Sequence, residues 1–219
     1  SLAMAFDSAR AGRTAGVVSA GNSGAMMAFA VRTLGRLPGV DRPAIACPYP
    51  TKKGAAVLCD AGANTECRPL QLAQFGVMGA VYAKLILGVK RPRVGILSNG
   101  SEDTKGTALT REASEMLRGV ETEAFEFAGY IEGREVVEGE IDVVVTDGFT
   151  GNVTLKVIEG VGMAVTEILK AEVMKRTLAK AGALLMKPAL ASMKARFDYA
   201  QYGGAPLVGR VDRSPGQRR

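Results

Sequence analysis

Four loops of this sequence place glycine beside asparagine, aspartate or lysine where an apolar run ends. They are residues 19–24 (SAGNSG), 60–66 (DAGANTE), 98–106 (SNGSEDTKG) and 146–152 (TDGFTGN). Glycine lets backbone N–H groups approach a ligand closely, and the N-terminus of a helix offers unpaired N–H groups and a positive dipole end. Because the carboxyl ends of parallel strands share one edge of a sheet, these loops can converge. Together they predict a site for phosphate or another anion.

Asp147 and Asn152 are the strongest candidates for chemistry, because both lie just beyond an apolar run where polar atoms can reach solvent or substrate. Two lysines in the same set of loops, Lys105 and Lys156, add cationic donors. A structural role competes in each case: Asn152 would cap a helix over 152–180, and Asp147 would complete an Asx-turn.

Two further loops have the same double interpretation. Asn22 could contribute to an anion site or cap a helix that begins at Ser23. Glu102, Asp103 and Lys105 could form only a solvated loop, although a predicted strand directly precedes them.

Several classes of site are excluded by the residue types. The chain has no histidine, which removes Ser-His-Asp triads, Cys-His pairs and His-ligated metal sites within it. Neither G-x-G-x-x-G nor G-x-x-x-x-G-K-[ST] occurs, so no dinucleotide cofactor is predicted, and no ligand spacing implies a metal. The odd count of three cysteines, Cys47, Cys59 and Cys67, predicts reduced structural thiols in a cytoplasmic protein.

The charge of the chain favours anionic partners. A formal net charge of +6 and a pI near 9.3 suit phosphate, an acidic protein or an anionic membrane. A nucleic-acid partner is not predicted, because acids are interspersed with the basic residues and no nucleic-acid-binding motif occurs. There is no signal peptide pattern and no run of about 18 consecutive apolar residues.

Strand and helix patterns alternate along most of the chain, which predicts an α/β fold with a doubly wound, mainly parallel sheet and helices on both faces. The predicted strands are 14–21, 43–47, 55–60, 93–100, 124–133 and 140–148. The predicted helices in the same region are 1–12, 24–35, 68–88 and 107–119.

Two long helical patterns follow, over 152–180 and 182–199, and they predict a helical hairpin that projects from the sheet domain. Its turn region, 178–197, mixes Leu, Met and Ala with Lys180, Lys187, Lys194 and Arg196. The first residues have the pattern of the middle of an amphipathic helix and the last ten are polar. Both ends therefore suggest a fragment of a longer protein.

In their order and spacing, the loops resemble the bacterial phosphate acyltransferase family, PlsX. The resemblance covers about residues 1 to 209 and rests on SAGNSGAMMA, LCDAGANTECRPLQLAQFGVMGAVYA, RVGILSNGSEDTKG, VVVTDGFTGNVTLKVIEG and YGGAPLVG. It implies conversion of acyl-[acyl carrier protein] and inorganic phosphate into acyl phosphate and free carrier protein, for phosphatidic acid synthesis. It implies no cofactor and a fold like that of the isocitrate and isopropylmalate dehydrogenases and the phosphate acetyltransferases.

On this resemblance the catalytic residues are Lys105, Asp147 and Asn152. Phosphate itself attacks the thioester, so the site has to hold a dianion and stabilise an oxyanion. Lys105 would neutralise phosphate charge, Asn152 would bind phosphate or the oxyanion, and Asp147 would orient a donor or accept a proton. The residues expected to bind substrate or phosphate are Asn22, Ser23, Gly24, Asn64, Asn99, Gly148, Gly151 and Lys156.

The resemblance also implies partners and a division of the chain. Residues 1–151 and 200–219 would form the catalytic core, and 152–199 would form a four-helix bundle in a homodimer. The hairpin turn would touch the anionic inner face of the cell membrane, or Leu184, Leu185 and Met186 would pack only within the dimer. The product would pass to a glycerol-3-phosphate acyltransferase.

The chain also departs from the family. Members begin with a strand carrying a VDAMGGD-like motif and finish with an HG-containing segment, so part of the sheet and site wall is expected to be absent. Ser98 and Ser101 stand where members commonly show NIG followed by acids. Two other functions stay open, a phosphate acetyltransferase-like enzyme that uses a coenzyme A thioester and a non-catalytic scaffold of lipid synthesis at the membrane.

Overall fold

Six strands form one sheet in the computed structural model, which describes residues 1–120, 122–197 and 204–209. The strands are β1 (Ala44–Thr51), β2 (Gly54–Cys59), β3 (Arg93–Leu97), β4 (Glu126–Ile131), β5 (Val143–Val145) and β6 (Leu207–Val208). Their order across the sheet is β4-β3-β5-β2-β1-β6. The helices are α1 (Leu2–Arg10), α2 (Ser23–Leu34), α3 (Pro69–Ile86), α4 (Ala108–Arg118), α5 (Gly148–Met174), α6 (Thr177–Leu185) and α7 (Lys187–Phe197).

The four strands at the centre and one end of the sheet, β4, β3, β5 and β2, are parallel to one another. In the register of the ladder, Ile96 and Cys59 both lie beside Val145. The loops that follow β2, β3 and β5 therefore leave the sheet at the same level of the same edge. The prediction of an α/β fold with a mostly parallel sheet is confirmed.

The strand β1 is antiparallel to β2, which it meets through a tight hairpin at residues 51–54, and β6 is antiparallel to β1. The strand β1 contains Pro48 and Pro50, which have no N–H group to donate. They would interrupt the hydrogen bonds to a neighbouring strand if β1 were paired on both sides at these positions. Since β6 pairs only with Ala44 and Ile45, both prolines lie where β1 has one neighbour. The prolines are therefore tolerated, and pairing with β2 continues the strand to Thr51, past the predicted end at residue 47.

The sheet carries a packed core on each face. Alternate strand residues, among them Cys59, Val94 and Val145, pack with α3 and α4 on one face. On the opposite face Leu58 and Val144 lie in a second cluster, against which the first turns of α5 pack through Leu155 and Ile158. The period-two alternation of each strand thus supplies both cores.

The predicted strand at 14–21 is wrong. These residues form no strand, and the side chain of Val18 is 97% exposed. An apolar run becomes a strand only where a neighbour accepts its backbone hydrogen bonds. Within the described ranges no strand pairs with this segment.

The helical hairpin has different boundaries from those predicted. The helix α5 begins at Gly148 rather than at 152 and ends at Met174, before the predicted end at 180. The chain bends between α5 and α6 and again at Met186, just before Pro188 in the first turn of α7. Proline suits that place because a first-turn N–H has no helical acceptor. The helix α7 contacts β1, so the chain returns to the sheet. Of the predicted second helix, residues 198 and 199 lie outside the described residues.

Candidate active site

Three of the four glycine-rich loops meet around Gly62. The Ser23 hydroxyl, in the first turn of α2, donates a hydrogen bond to the carbonyl oxygen of Gly62 at 3.2 Å. From the other side, Cγ and Oδ1 of Asn152 lie 3.6 Å from the position that a Cβ would take on Gly62. The sheet edge thus brings together the start of α2, the loop after β2 and the first turns of α5.

Asp60 organises the loop after β2. Its carboxylate is fully buried and accepts hydrogen bonds from the backbone N–H groups of Ile45 (2.9 Å), Gly62 (3.2 Å), Ala63 (3.0 Å) and Asn64 (2.7 Å). The N–H groups of residues 62–64 therefore point inward to this carboxylate and not outward to a ligand. Asp60 was not among the predicted site residues. The signal in the sequence was an acid at a strand end with a glycine close behind it, Gly62 after Asp60, as Gly148 follows Asp147.

Asn64 connects this loop to two neighbouring elements. Its side-chain amide donates to the carbonyl of Pro43 at 2.9 Å and to Asp60 Oδ2 at 2.8 Å. Its carbonyl accepts from the N–H of Gly148 at 2.6 Å, at the start of α5. The side chain is only 2% exposed, and its Oδ1 has no hydrogen-bond donor among the residues that the structure describes. In this conformation Asn64 faces the protein interior.

Gly148 and Gly151 allow α5 to begin against that loop. A Cβ on Gly148 would lie 2.7 Å from the backbone nitrogen and oxygen of Asn64, and one on Gly151 would overlap the carbonyl oxygen of Asp60. Real Cβ atoms essentially never make such close contacts. Both glycines are buried. Their visible role is close packing, and the phosphate-binding role predicted for them stays a prediction.

Asp147, and not Asn152, caps α5. Asp147 Oδ1 accepts from the N–H of Thr150 and Oδ2 accepts from the Thr150 hydroxyl, each at 2.8 Å. The alternative in which Asn152 is the cap is therefore wrong, because the helix starts one turn earlier than its apolar pattern indicates. Asn152 is exposed, and within the described part of the chain its amide makes no hydrogen bond. Its amide is a donor and acceptor beside Gly62 that solvent can reach.

The loop over 98–106, at the end of β3, is closed by Asn99. Its Oδ1 accepts from the N–H of Gly106 at 2.9 Å and from the Ser98 hydroxyl at 3.3 Å. Lys105 is exposed, and its stem lies against Gly100. Among the described residues no carboxylate lies within ion-pair distance of its ammonium group, which remains available to an anion.

The remaining predicted positions, on α5 and at the start of α2, differ in their surroundings. Lys156 is on the exposed side of α5 and forms an ion pair with Glu159 at 2.7 Å. Asn22 caps α2, as one of its two interpretations predicted, with its Oδ1 accepting from the N–H of Ala25 at 2.9 Å. The N–H groups of Ser23 and Gly24 lie in the exposed first turn, where a helix supplies no acceptor.

The cysteine thiols are not activated. Burial raises the pKa of Cys67 to about 12 and that of Cys47 to about 11, and burial also raises the pKa of Cys59. All three are free thiols. The thiolate is the nucleophilic form, so these groups are unreactive near neutral pH. Over the described residues no group of three or more Cys, Asp or Glu side chains could hold a metal ion.

The comparisons with known proteins agree on one family. A family model described as "Fatty acid synthesis protein" matches residues 1–215. Curated proteins named phosphate acyltransferase from Myxococcus xanthus and Syntrophotalea carbinolica are 54% and 52% identical to the chain, in each case over 95% of it. The aligned regions cover 60% and 59% of those two proteins, so the chain spans about three fifths of the length of these relatives.

Solved structures with the same fold are phosphotransacetylases. The enzyme from Streptococcus pyogenes superposes with a TM-score of 0.61 at 20% identity, covering 74% of this chain and 55% of that one. The EutD phosphotransacetylase from Staphylococcus aureus gives 0.54 at the same identity and the same coverage. At this identity the likeness shows the fold alone, whereas the match to the family model and the relatives shows descent. The chain belongs to the fatty acid synthesis protein family, whose curated members similar to it are phosphate acyltransferases.

Proposed function

We propose that this chain catalyses transfer of an acyl group from acyl-[acyl carrier protein] to inorganic phosphate, in phospholipid synthesis. The observation that carries this proposal is the identity of 48 to 54% with phosphate acyltransferases across 95% of the chain. A phosphate oxygen attacks the thioester carbonyl, the new C–O bond forms, and the C–S bond breaks. The leaving thiolate takes up a proton, which yields acyl phosphate and the free carrier thiol.

The exposed polar groups at the sheet edge are suited to this reaction. Lys105, with no acid partner among the described residues, would neutralise the phosphate dianion. The amide of Asn152, which makes no hydrogen bond to any residue that the structure describes, would donate to phosphate or to the developing oxyanion beside Gly62. The first-turn N–H groups of Ser23 and Gly24 would add donors at the positive end of α2.

Asp147 fits a positioning role better than a role as a proton acceptor, because both of its carboxylate oxygens already accept hydrogen bonds from Thr150. It would fix the start of α5 and with it Asn152. Asn99 would shape the loop that carries Lys105, since it bridges the two ends of that loop. Lys156, paired with Glu159, would attract phosphate from the edge of the site.

We also propose the homodimer and the membrane contact. The helix α5 exposes a series of apolar side chains along its length, among them Val153, Val157, Val161 and Ile168. A second copy would cover them in a four-helix bundle. None of the helices in the described ranges is long and apolar enough to cross a membrane.

The end of the hairpin suits a peripheral contact with an anionic bilayer. Leu178 and Leu185 are 89% and 85% exposed there, close to Lys180 and Lys187. An apolar face flanked by lysines binds the surface of an anionic membrane. We therefore propose a location at the inner face of the cell membrane, where the acyl phosphate would reach a glycerol-3-phosphate acyltransferase. We also propose that the fold of the chain resembles that of the isocitrate and isopropylmalate dehydrogenases.

A second candidate is an acyltransferase that takes its acyl group from coenzyme A. The fold shared with two phosphotransacetylases favours it, since carrier protein and coenzyme A present the thioester on the same phosphopantetheine arm.

The test is phosphate-dependent release of free carrier protein from palmitoyl-[acyl carrier protein], with palmitoyl-coenzyme A assayed in parallel. Release from the carrier protein, with acyl phosphate as the second product, is the expected result. Release from coenzyme A alone would establish the second candidate. No release from either thioester would contradict catalysis by residues 1–219 and favour a scaffold role.

A further inference from the structure

A surface of basic and apolar side chains lies at the same edge of the sheet as the candidate site. We call it the arginine patch and define it as Arg36, Leu37, Arg42, Arg68 and Leu70. The two leucines are 43% and 48% exposed, although leucine is usually buried. The side chains of Arg36 and Arg68 are 47% and 68% exposed, and Arg42 is exposed as well.

Two of the three arginines in the arginine patch, Arg36 and Arg68, are held in place by one acid. Arg68 forms an ion pair with Asp41 at 2.6 Å, and Arg36 donates to the backbone carbonyl of the same residue. Gln71 and Arg68 hydrogen-bond to the Asp41 carboxylate and lower its pKa, so it stays ionised. Asp41 therefore orders two guanidinium groups before any partner binds. Because these side chains have less conformational freedom left to lose, the entropic cost of binding a partner is lower.

The surface is nevertheless positive. Besides Asp41, the exposed acid near the patch in the sequence is Glu66, which precedes Arg68 in the loop after β2. Arg32, exposed in the last turn of α2 and shortly before Arg36 in the chain, adds a further positive charge. Positive charge therefore exceeds negative charge on this surface, and solvent reaches most of it.

The arginine patch is continuous with the candidate site through Cys67. Both Arg42 and Asp147 lie close enough to the Cys67 thiol to act on its pKa, which Asp147 raises and Arg42 lowers. The Cys67 thiol also donates to the carbonyl of Asn64 at 3.4 Å. Asn64 in turn accepts from the N–H of Gly148, so hydrogen bonds through Cys67 and Asn64 connect the chain next to Arg68 to the start of α5.

We propose that the arginine patch is the docking surface for the acyl carrier protein, an inference that rests on the proposed function. A carrier protein presents its thioester on a flexible arm, so its folded body docks beside the catalytic site and not in it. Carrier proteins are acidic, and an ordered cluster of arginines with two exposed leucines offers the complementary charge and the apolar contact that such an interface needs. Arginine is also the basic residue that interfaces favour.

A second basic surface competes for the same partner, the end of the hairpin with Lys175, Lys180 and Lys187. It lies at the far end of α5 from the site and next to Leu185, which suits a bilayer better than a protein that has to deliver its arm to Asn152. The two surfaces can be altered separately, and the experiment below does so.

The experiment measures the dissociation constant of carrier protein for the 219-residue chain and for its Arg42→Glu and Arg68→Glu variants, at low and at high salt. The same proteins are assayed for kcat/KM with acyl-[acyl carrier protein] and with a small acyl thioester of N-acetylcysteamine, which lacks the carrier. Matched charge reversals are Arg91→Glu, at the opposite edge of the sheet before β3, and Lys180→Glu on the hairpin. Thermal unfolding identifies any variant that is not folded.

Each patch variant is expected to weaken carrier binding about tenfold at low salt, with a smaller effect at high salt because salt screens the charges. It should lower kcat/KM for the carrier thioester about tenfold more than kcat/KM for the small thioester. Arg68 is the residue just before α3, so Arg68→Glu could also disturb the start of that helix. If this variant fails to fold, the result for Arg42→Glu decides the test. Equal losses with both thioesters, or equal losses in the Arg91→Glu or Lys180→Glu protein, would overturn the proposal.

The same measurements distinguish failure of the docking proposal from failure of the proposed acyltransferase function. If the wild-type chain binds carrier protein through the arginine patch but turns over neither thioester, docking stands and catalysis does not. If it turns over the small thioester but binds no carrier protein, the acyltransferase chemistry stands and the docking surface is refuted.

Discussion

Gly151 lies directly on the backbone carbonyl of Asp60, so closely that a Cβ at residue 151 would overlap that oxygen. The contact joins the first turn of α5 to the loop after β2. The buried Asp60 carboxylate holds the same loop from within, and the carbonyl of Asn64 accepts from the N–H of Gly148. Asn152 is therefore exposed on a helix turn whose backbone is packed and hydrogen-bonded against the loop after β2.

The contact predicts that Gly151→Ala destabilises the protein. The added methyl group has backbone and the Thr146 hydroxyl in its way, and neither can move without shifting the sheet edge. Overpacking of this kind costs about 1–3 kcal/mol in the free energy of unfolding. Urea denaturation gives the value. The matched control is Gly160→Ala in the same helix, where nothing lies within 4 Å of the new methyl group. It should stabilise the chain by about 0.5–1 kcal/mol, and a similar loss in both variants would contradict the prediction.

Asp60→Asn should be destabilising although the substitution keeps the size of the side chain. The new amide NH₂ would face backbone N–H groups that now donate to a carboxylate, which leaves buried donors without an acceptor. The expected loss is about 1–3 kcal/mol, measured by thermal unfolding. Glu66→Gln, an exposed acid in the same loop, should change stability by less than about 0.5 kcal/mol.

Asn152→Ala is expected to reduce turnover without unfolding the protein. The side chain makes no hydrogen bond within the described residues, so its loss leaves no buried group unpaired. If its amide stabilises the oxyanion, kcat should fall about 10²- to 10³-fold. Steady-state kinetics with acyl-[acyl carrier protein] and phosphate measure the change. Unaltered turnover in the folded variant would remove Asn152 from the site.

Lys105→Ala and Lys156→Ala should differ in their effect on the KM for phosphate. Lys105 has no acid partner among the described residues, whereas the charge of Lys156 is partly compensated by Glu159. The Lys105 variant should therefore raise this KM by the larger factor, about tenfold or more. Lys90→Ala, before β3 at the opposite edge of the sheet, serves as the control. Equal effects of all three variants would indicate only a general loss of positive charge.

The raised pKa of Cys67 predicts slow alkylation in the folded protein. With a pKa near 12, about one thiol in 10⁴ is ionised at pH 8. Iodoacetamide should label the thiols rapidly only after unfolding, and Cys67→Ser should remain active. Unfolded thiols ionise near the ordinary value of 9.0 while the folded ones stay neutral, so stability should fall as the pH rises from about 9 to 12. Fast labelling of the native chain would contradict this account.

Leu185→Glu tests the end of the hairpin. The residue is 85% exposed, and a carboxylate there opposes insertion into an anionic bilayer. Flotation with liposomes that contain anionic lipid should decrease strongly, while the oligomeric state by light scattering should not change. If the oligomer dissociates and flotation is unaltered, the exposed leucines of this segment pack within the dimer instead.

The local patterns of the sequence were enough to find most of the sheet and the loops at its edge. The apolar runs at 93–97 and 143–145 are strands, and the glycine-rich loops follow them at one edge, because parallel strands end together whatever surrounds them. The start of α2 after Asn22 was also predictable, since an asparagine cap acts within one turn.

What the tertiary structure alone decided depends on contacts between distant residues. The sequence predicted Asn152 as the cap of this helix and Asp147 in an Asx-turn, whereas in the structure Asp147 is the cap, in a turn that the hydrogen bond of Gly148 to Asn64 and the fit of Gly151 on Asp60 hold against the sheet edge. The segment 14–21 has the composition of a strand but no neighbour in the described ranges to pair with it. A local pattern states what a segment can form, and hydrogen bonds and packing against the rest of the chain determine what it does form.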